Sequence, residues 1–333
     1  MPVIKPVVSA TRPFWSVMIP SYNNAELLER TLASVLAQDP GPDVMQIEVV
    51  DDGSTGDDPA EVVERLGAGR VGFFRQPHNV GASATFTPCA RRSQGRWVHV
   101  LHSDDLVLPR FYARYREVIE ACPRAIMAAA QTFVIDVLGR YHVVTTPVEV
   151  VDGYVHDAAM TIATTHPLRC VSVVVARSAY EDWGGFHPGL FHANDWEMWT
   201  RLAARGPVAW VDEPLGLYRT HPESDSNRVQ RSTAYIDDCV RAVDVIVGHF
   251  DVPDRRQARA GARRIVGDYA TGVGLGLVAE GRPRLAVANA ARAVRIDPSI
   301  HTWTRAMEVA GLSITRKAAL TKATTKNRMR RRP

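Results

Sequence analysis

Trp97-Val-His-Val-Leu-His-Ser-Asp-Asp105 joins a short apolar run to two adjacent carboxylates. The run Trp97 to Leu101 has the length and residue types of a buried strand. Carboxylates placed side by side repel, so Asp104 and Asp105 at a strand end call for a counter-charge or full solvation. A hard divalent cation, magnesium or manganese, suits such oxygen ligands and bridges to phosphate oxygens. The competing account is a solvated turn before the helix beginning at Pro109, with Asp105 only capping it.

Upstream, strands and helices alternate. Phe14-Trp-Ser-Val-Met-Ile19 is an apolar run ended by Pro20, and Asn23-Asn-Ala-Glu26 has the spacing of a capping box. Leu28, Thr31, Leu32, Val35 and Leu36 then recur at helical period, up to Asp39-Pro-Gly-Pro42. Ile47 to Val50 predicts a second strand, running into Asp51-Asp-Gly-Ser-Thr55, and Asp58-Pro59 predicts the start of another helix. Val71 to Phe74 predicts a strand, and the stretch from Gly81 to about Gly95 a helix. Such alternation indicates a mostly parallel, Rossmann-like α/β sheet covered by helices on both faces. In sheets of that kind ligands gather at the carboxyl ends of the strands. Three polar motifs sit there: Ser21-Tyr-Asn23, Asp51-Asp52 and Asp104-Asp105. Asp51-Asp-Gly53 alone reads as a turn, but behind an apolar strand its carboxylates can accept from a base N–H or a ribose hydroxyl.

Downstream of about residue 125 the pattern loosens. Val171 to Ala176 predicts a strand, Asn194 to about Ala204 a helix, and Pro207 to Val211 a strand. After Tyr235 the sequence is nearly all helical, and Gly267 to Pro298 looks like a helix pair turning at Ala-Glu-Gly-Arg, a helical appendage rather than a repeat array.

At 333 residues the chain can bury a large core. No apolar run approaches the roughly 20 residues that span a bilayer. The start MPVIKPVVSATRP lacks the apolar core of a signal peptide, so a cytoplasmic location is expected. Cys89, Cys122, Cys170 and Cys239 show no CxxC spacing and read as buried thiols. Lys5, Lys317, Lys322 and Lys326 are the only lysines, a compositional sign of a GC-rich, bacterial genome. From 316 to 333 the chain carries eight basic residues and no acidic ones; taking these from the net +4 leaves −4 for the body. The body therefore lacks the basic surface of a nucleic-acid binder. The tail is expected as disordered and solvated, with weak contact to anionic lipid at the inner membrane face as the other option.

Ser16-Val-Met-Ile-Pro-Ser-Tyr-Asn23, Glu48-Val-Val-Asp-Asp-Gly-Ser-Thr55, Asn79-Val-Gly81, Gly95-Arg-Trp-Val98 and Ser103-Asp-Asp105 occur in order. Together, over roughly residues 14 to 225, they resemble a family 2 glycosyltransferase with the GT-A fold. The resemblance implies inverting transfer of a sugar, of hexosyltransferase type, from a nucleotide-diphosphate donor to a hydroxyl of a glycan, lipid-linked or small-molecule acceptor. It implies a role in polysaccharide or glycoconjugate biosynthesis, with UDP first as the donor nucleotide, TDP or GDP as alternatives, and Mn2+ or Mg2+ as cofactor. The implied domains are an extension at 1–13, a GT-A domain at 14–230 (nucleotide-binding half 14–108, acceptor-binding half 109–230), a helical region at 231–315 and the basic tail at 316–333.

Carried over residue by residue, Pro20, Ser21 and Tyr22 line the nucleotide pocket, Asp52 meets the base, Asp104 the ribose or donor sugar, and Asp105 the metal. Asp195, in Ala193-Asn-Asp-Trp-Glu-Met-Trp199, matches the catalytic base, with Glu197 in reserve; Trp196 and Trp199 should bury on one helix face. Trp183, Gly184, Gly185 and Trp196 fall on the acceptor side. Tyr218-Arg-Thr-His221 resembles the family's Tyr-Arg-x-His element, placing Arg219 near the diphosphate and His221 near the metal. The chain departs from the family at His102, where Asp is frequent, and at Thr85-Phe-Thr87, where Ala-Arg-Asn is frequent.

Other classes remain. A sugar nucleotidyltransferase should carry a Gly-rich basic phosphate loop after the first strand, which Pro20-Ser-Tyr-Asn23 is not. A catalytically idle nucleotide-sugar scaffold has no physical need for Asp52, Asp105 and Asp195 together. A membrane polysaccharide synthase should show transmembrane helices and a QxxRW-like string. The sequence leaves oligomeric state open.

Overall fold

The computed structural model describes residues 1–9 and 11–330, with side chains up to residue 315. The chain forms two compact units: Met1–Ile162 with His166–Ser224, and Ala163–Thr165 with Asp225–Pro333.

The first unit begins with β1 (Trp15–Ser21), α1 (Ala25–Leu36), β2 (Met45–Asp51), α2 (Pro59–Gly67), β3 (Gly72–Arg75), α3 (Ala82–Arg92) and β4 (Trp97–Val100). There follow β5 (Leu106–Val107), α4 (Phe111–Ala121), β6 (Met127–Ile135), β7 (Tyr141–Val144), β8 (Val150–Val151), β9 (Tyr154–Val155) and α5 (Ala158–Thr165), whose last three residues count with the second unit. A single 3-10 turn, Cys170–Ser172, leads into β10 (Val173–Ala176), α6 (Arg177–Trp183), α7 (Asn194–Ala203) and β11 (Val208–Arg219).

One mixed sheet runs in the order β3-β2-β1-β4-β10-β6-β11-β9-β8, with β5 on β11 and β7 on β6. β3, β2, β1 and β4 are mutually parallel, and β10 is antiparallel to both its neighbours. The order 3-2-1-4 reverses direction at β1, which opens a crevice beyond the carboxyl ends of β1 and β4. Every residue of β1 and β4 is buried. A parallel strand covered on both faces reads as a continuous apolar run, which is why these segments are legible without alternation. The buried polar residue in β4, His99, is satisfied: its ring nitrogens lie 3.2 Å from the Tyr112 hydroxyl and 3.1 Å from Val171 O. Gly95 lets the chain pass under β1, since a Cβ there would sit 2.5 Å from the Trp15 carbonyl carbon.

Local expectations differ at several points. Pro20 lies inside β1 rather than ending it. The capping box at Asn23–Glu26 does not form. Asn23 takes a left-handed conformation (φ 46°), its Oδ1 accepts from Thr55 N and Gly56 N, and Asp57 receives Ala25 N instead. A long-range anchor has displaced the local cap. Asp58 does cap α2, accepting from Ala60 N, with Pro59 at the first helical position. β11 extends to Arg219, well past Val211, because its second half pairs with β5 and with the end of β6. Residues 1–13 add Ile4, 1% exposed, to the core of the first unit.

The second unit carries α8 (Asp225–Val229), α9 (Ala234–Val247), α10 (Arg255–Ala279), α11 (Pro283–Ile296) and α12 (Ile300–Arg330). Gly267 and Gly274 on α10 let its neighbours approach: a Cβ at Gly267 would meet Thr302 at 3.1 Å, and one at Gly274 would meet Val309 at 3.3 Å. Asp297 fixes the start of α12 by accepting from Ser299 N, Ser299 Oγ and Thr302 Oγ1. The backbone of α12 is helical to Arg330, across most of the segment expected as a disordered tail; the side chains of 316–333 lie outside the described residues. Among the described residues no helix is long and apolar enough to cross a membrane.

Candidate active site

The three strand-end motifs meet at the crevice. Asn23 N donates to Ser54 Oγ (2.9 Å) and Asn24 Nδ2 to Ser103 Oγ (3.2 Å), so the β1–α1 turn is tied to both neighbouring loops. Thr31 of α1 fixes the acidic loop from behind, its hydroxyl serving the carbonyls of Ser103 (2.9 Å) and Asp105 (2.7 Å).

Within that loop the two carboxylates are not equivalent. Asp105 is fully buried; its Oδ1 accepts Arg219 N at 2.8 Å while its Oδ2 has no partner among the described residues. Burial, followed by the charge of Asp104, holds its carboxyl well above the usual range. Asp104 is half-buried, with Oδ2 3.1 Å from His221 Nε2. Burial alone would push its carboxyl up, but the hydrogen bond from His221 and the nearby histidine charges outweigh this and lower it.

His102 completes a cluster with Asp104 and Asp105, whose ligand atoms lie within 4.8 Å of one another. Its ring stacks on Phe86 (centroids 5.1 Å apart), and its Nε2 is buried without a partner among the described residues. A buried polar atom left unpaired costs about 1–3 kcal/mol. His102, Asp104 and Asp105 thus bring an imidazole nitrogen and carboxylate oxygens together, two of these residues with a buried unpaired atom, and such a donor set fits a divalent cation. The residues present therefore suit a metal, and His102, seen in the sequence only as a departure, joins Asp105 as a ligand candidate. His221 lies outside this cluster and against Asp104 instead.

Arg219 is 2% exposed, and its guanidinium donates to the carbonyls of Asp104 (2.9 Å), Asp136 (3.2 Å) and Val137 (3.5 Å). It braces the acidic loop against β11; these bonds, and not a solvent-facing diphosphate contact, are what its side chain makes here. Asp52 is likewise turned inward. Its Oδ1 accepts from Gln76 Nε2 (2.7 Å) and Val80 N (2.9 Å), and its Oδ2 from Gly81 N (2.9 Å), so it shapes the Asn79–Gly81 turn ahead of α3. Asp51 is held by Arg75 Nε and Ser54 Oγ, both at 2.5 Å. Pro20 and Ser21 are buried and Tyr22 half-buried at the end of β1; Ser21 Oγ has no partner among the described residues.

Asp195 stands in the first turn of α7 and is half-buried. Its Oδ2 lies 3.8 Å from Cys170 Sγ. Burial pushes the Cys170 thiol far up, and the charges of Asp195 and Asp105 both push it further. Cys170 thus lies within electrostatic reach of both carboxylates. His166 is also near: burial lowers it to about 4, against the pull of Asp195.

Trp196 and Trp199 are each 2% exposed, as their shared helix face predicts, and each anchors α7 with roughly 2–3 kcal/mol of apolar burial. Trp196 is thereby a core residue: its indole N–H donates to Ile162 O at 3.0 Å, which leaves no acceptor-facing role. Glu197, fully buried, pairs with Arg201 one turn on (2.9 Å). Arg201 in turn donates to the carbonyls of Trp183 and Gly185, both at 2.8 Å. That arrangement removes Glu197 as a reserve base and makes the pair a clasp on the Trp183–Gly185 segment. The Glu-to-Arg spacing of four was readable as a helix pair; nothing in the sequence tied it to Trp183 or brought Cys170 to Asp195.

The family described as Glycosyl transferase family 2 matches residues 16–181. An uncharacterized protein of Mycobacterium tuberculosis is 28% identical over 233 residues, covering 67% of this chain and 72% of that protein. A crystal structure of S. aureus TarS in complex with UDP-GlcNAc superposes with a TM-score of 0.62 at 16% identity, covering 94% of this chain and 92% of that one. The mannosyltransferase PcManGT from Pyrobaculum calidifontis, in complex with GDP-Man and Mn2+, superposes with a TM-score of 0.50 at 18% identity, covering 97% and 89%. At such identities the structural likenesses speak to the GT-A fold.

Proposed function

This chain belongs to glycosyl transferase family 2, and from that premise we propose that it catalyses inverting, metal-assisted transfer of a hexosyl group from a nucleotide-diphosphate sugar to an acceptor hydroxyl. The observation that carries the proposal is the pair of orphaned ligand atoms, Asp105 Oδ2 and His102 Nε2, at the crevice beyond β1 and β4. The neighbours' ligands, UDP-GlcNAc and GDP-Man, support a nucleotide-diphosphate sugar as the donor class, with UDP first and TDP or GDP as alternatives.

Pro20, Ser21 and Tyr22 would line the nucleotide pocket, with Asp52 shaping its base side through the Asn79–Gly81 turn. Asp104, poised by His221, would accept from a ribose or sugar hydroxyl. Asp105 and His102 would hold Mn2+ or Mg2+, which when bound offsets charge on the departing diphosphate as a Lewis acid. Asp195 takes the acceptor hydroxyl's proton as its oxygen bonds the anomeric carbon. The bond from that carbon to the diphosphate breaks on the opposite face, which inverts the configuration and releases a nucleoside diphosphate. Trp183, Gly184 and Gly185 frame the acceptor's approach.

A thermal-shift screen of UDP-, TDP- and GDP-sugars with Mn2+ or Mg2+ tests this. Ligand at about 100 times its Kd adds roughly 2.7 kcal/mol of stability. The gain should require metal and vanish in Asp105→Ala. If no nucleotide-diphosphate sugar raises the melting temperature, the donor assignment is wrong.

A further inference from the structure

Helix α12 has a buried face and, separately, an exposed apolar row. The first packs inward: Thr302, Ala306, Val309 and Ser313 are all buried. The second carries Ile300 (86% exposed), Trp303 (51%), Met307 (64%) and Ile314 (70%). At 3.6 residues per turn these four fall within an arc of about 60°, centred about 120° round the helix from the buried face. Scattered exposed apolar residues are ordinary, but a narrow row of four including a tryptophan is not.

The charge beside this row identifies its partner. From Ile300 to Pro333 the only acidic residue is Glu308, while Arg316 to Pro333 contribute eight basic residues. The same helix continues through this basic stretch to Arg330. An apolar row with an aromatic, leading into concentrated positive charge, is the chemistry of a helix lying in the plane of an anionic membrane surface. A second copy of this chain would cover the apolar residues but would bring no counter-charge to the basic stretch. We propose that α12 is a membrane-surface anchor, its Ile300–Trp303–Met307–Ile314 row entering the headgroup region of an anionic bilayer and its basic end held by the lipid charge. The proposal is independent of the transfer chemistry, since its test uses no nucleotide sugar.

Flotation of the full chain with vesicles of phosphatidylcholine alone, or with three parts in ten of phosphatidylglycerol, provides the test. Binding to the anionic vesicles should exceed that to neutral ones by about tenfold or more and weaken at high salt. Trp303→Ser with Met307→Ser changes only exposed positions and should lower it by about tenfold. Lys317→Gln, Lys322→Gln and Lys326→Gln together should lower it by a similar factor. Melting temperatures matching the parent's confirm that the variants fold. Unchanged flotation of the Trp303–Met307 variant overturns the proposal, as does equal binding to neutral vesicles. A dimer by light scattering that this variant dissociates, without flotation of the parent, assigns the row to a second copy and also overturns it.

Discussion

Cys170 Sγ lies 3.8 Å from Asp195 Oδ2, placing a buried neutral thiol against the carboxylate assigned as the base. The thiol is a weak donor to Oδ2 that complements the Trp196 N bond to Oδ1 (2.7 Å) in orienting the carboxylate. Cys170→Ala should therefore lower kcat by roughly three- to tenfold, with nucleotide binding unchanged, and Cys170→Ser should restore most of it. Asp195→Asn sets the scale: it should keep donor binding and lose at least about a hundredfold in turnover. Transfer kinetics alongside nucleotide titrations measure both, and full activity in Asp195→Asn would place the base elsewhere.

His102 gives the cluster a nitrogen ligand where oxygen alone would suit Mg2+ best. Imidazole favours later first-row metals. We expect Mn2+ to be preferred over Mg2+, His102→Ala to weaken Mn2+ binding by roughly tenfold, and His102→Asp to shift preference toward Mg2+. Mn2+ titration followed by electron paramagnetic resonance, with UDP present, reads the affinity directly. Equal Mn2+ affinity in His102→Ala would remove this residue from the site.

The Glu197–Arg201 clasp is structural. Arg201→Met removes the cation beside the buried Glu197 carboxylate and the donor to the carbonyls of Trp183 and Gly185, and should cost about 3–5 kcal/mol. Glu197→Gln should lower stability while leaving turnover per folded molecule intact, because the Glu197 carboxylate is engaged by Arg201 at 2.9 Å. Urea unfolding paired with active-site titration separates the two effects.

Stability should fall in acid through His99. Burial holds its imidazole neutral in the fold, lowering it to about 3, whereas in the unfolded chain it protonates near 6.5. The unfolded state thus binds the extra proton between those values, so stability is complete above about pH 6.5 and declines as the pH falls toward 3. His99 alone contributes about 1 kcal/mol per pH unit in that window. The urea midpoint of His99→Gln should show a shallower loss between pH 6.5 and 5 than the parent, whatever its absolute stability.

The first hundred residues were legible because β1, β2 and β4 are almost wholly buried and each functional loop follows its strand directly. Period and punctuation then determine topology, and the switch point follows from strand order. Asp105 could be singled out for the same reason, standing at the end of a strand, whereas Asp195 as base is what the family resemblance implies. The remainder depends on contacts between distant segments. Asn23 abandons its local cap for the Thr55–Gly56 amides. Arg219 braces a loop more than a hundred positions earlier, and Cys170 reaches Asp195 from a 3-10 turn with no sequence signature. His102 was visible as a deviation, but its meaning required the geometry that leaves its Nε2 unpaired beside Asp105.

The clasp formed by Arg201 bears on how such an enzyme could diversify. With Trp183 and Gly185 fastened to α7, and Phe186 and Leu190 sunk into the core, the exposed positions Pro188, Gly189 and Phe191 form a short replaceable tip. If the Trp183–Gly185 segment frames the acceptor as proposed, substitutions at this tip should change acceptor preference while the clasp keeps α7 and Asp195 in place. A library confined to those three positions is where we would begin retargeting this protein.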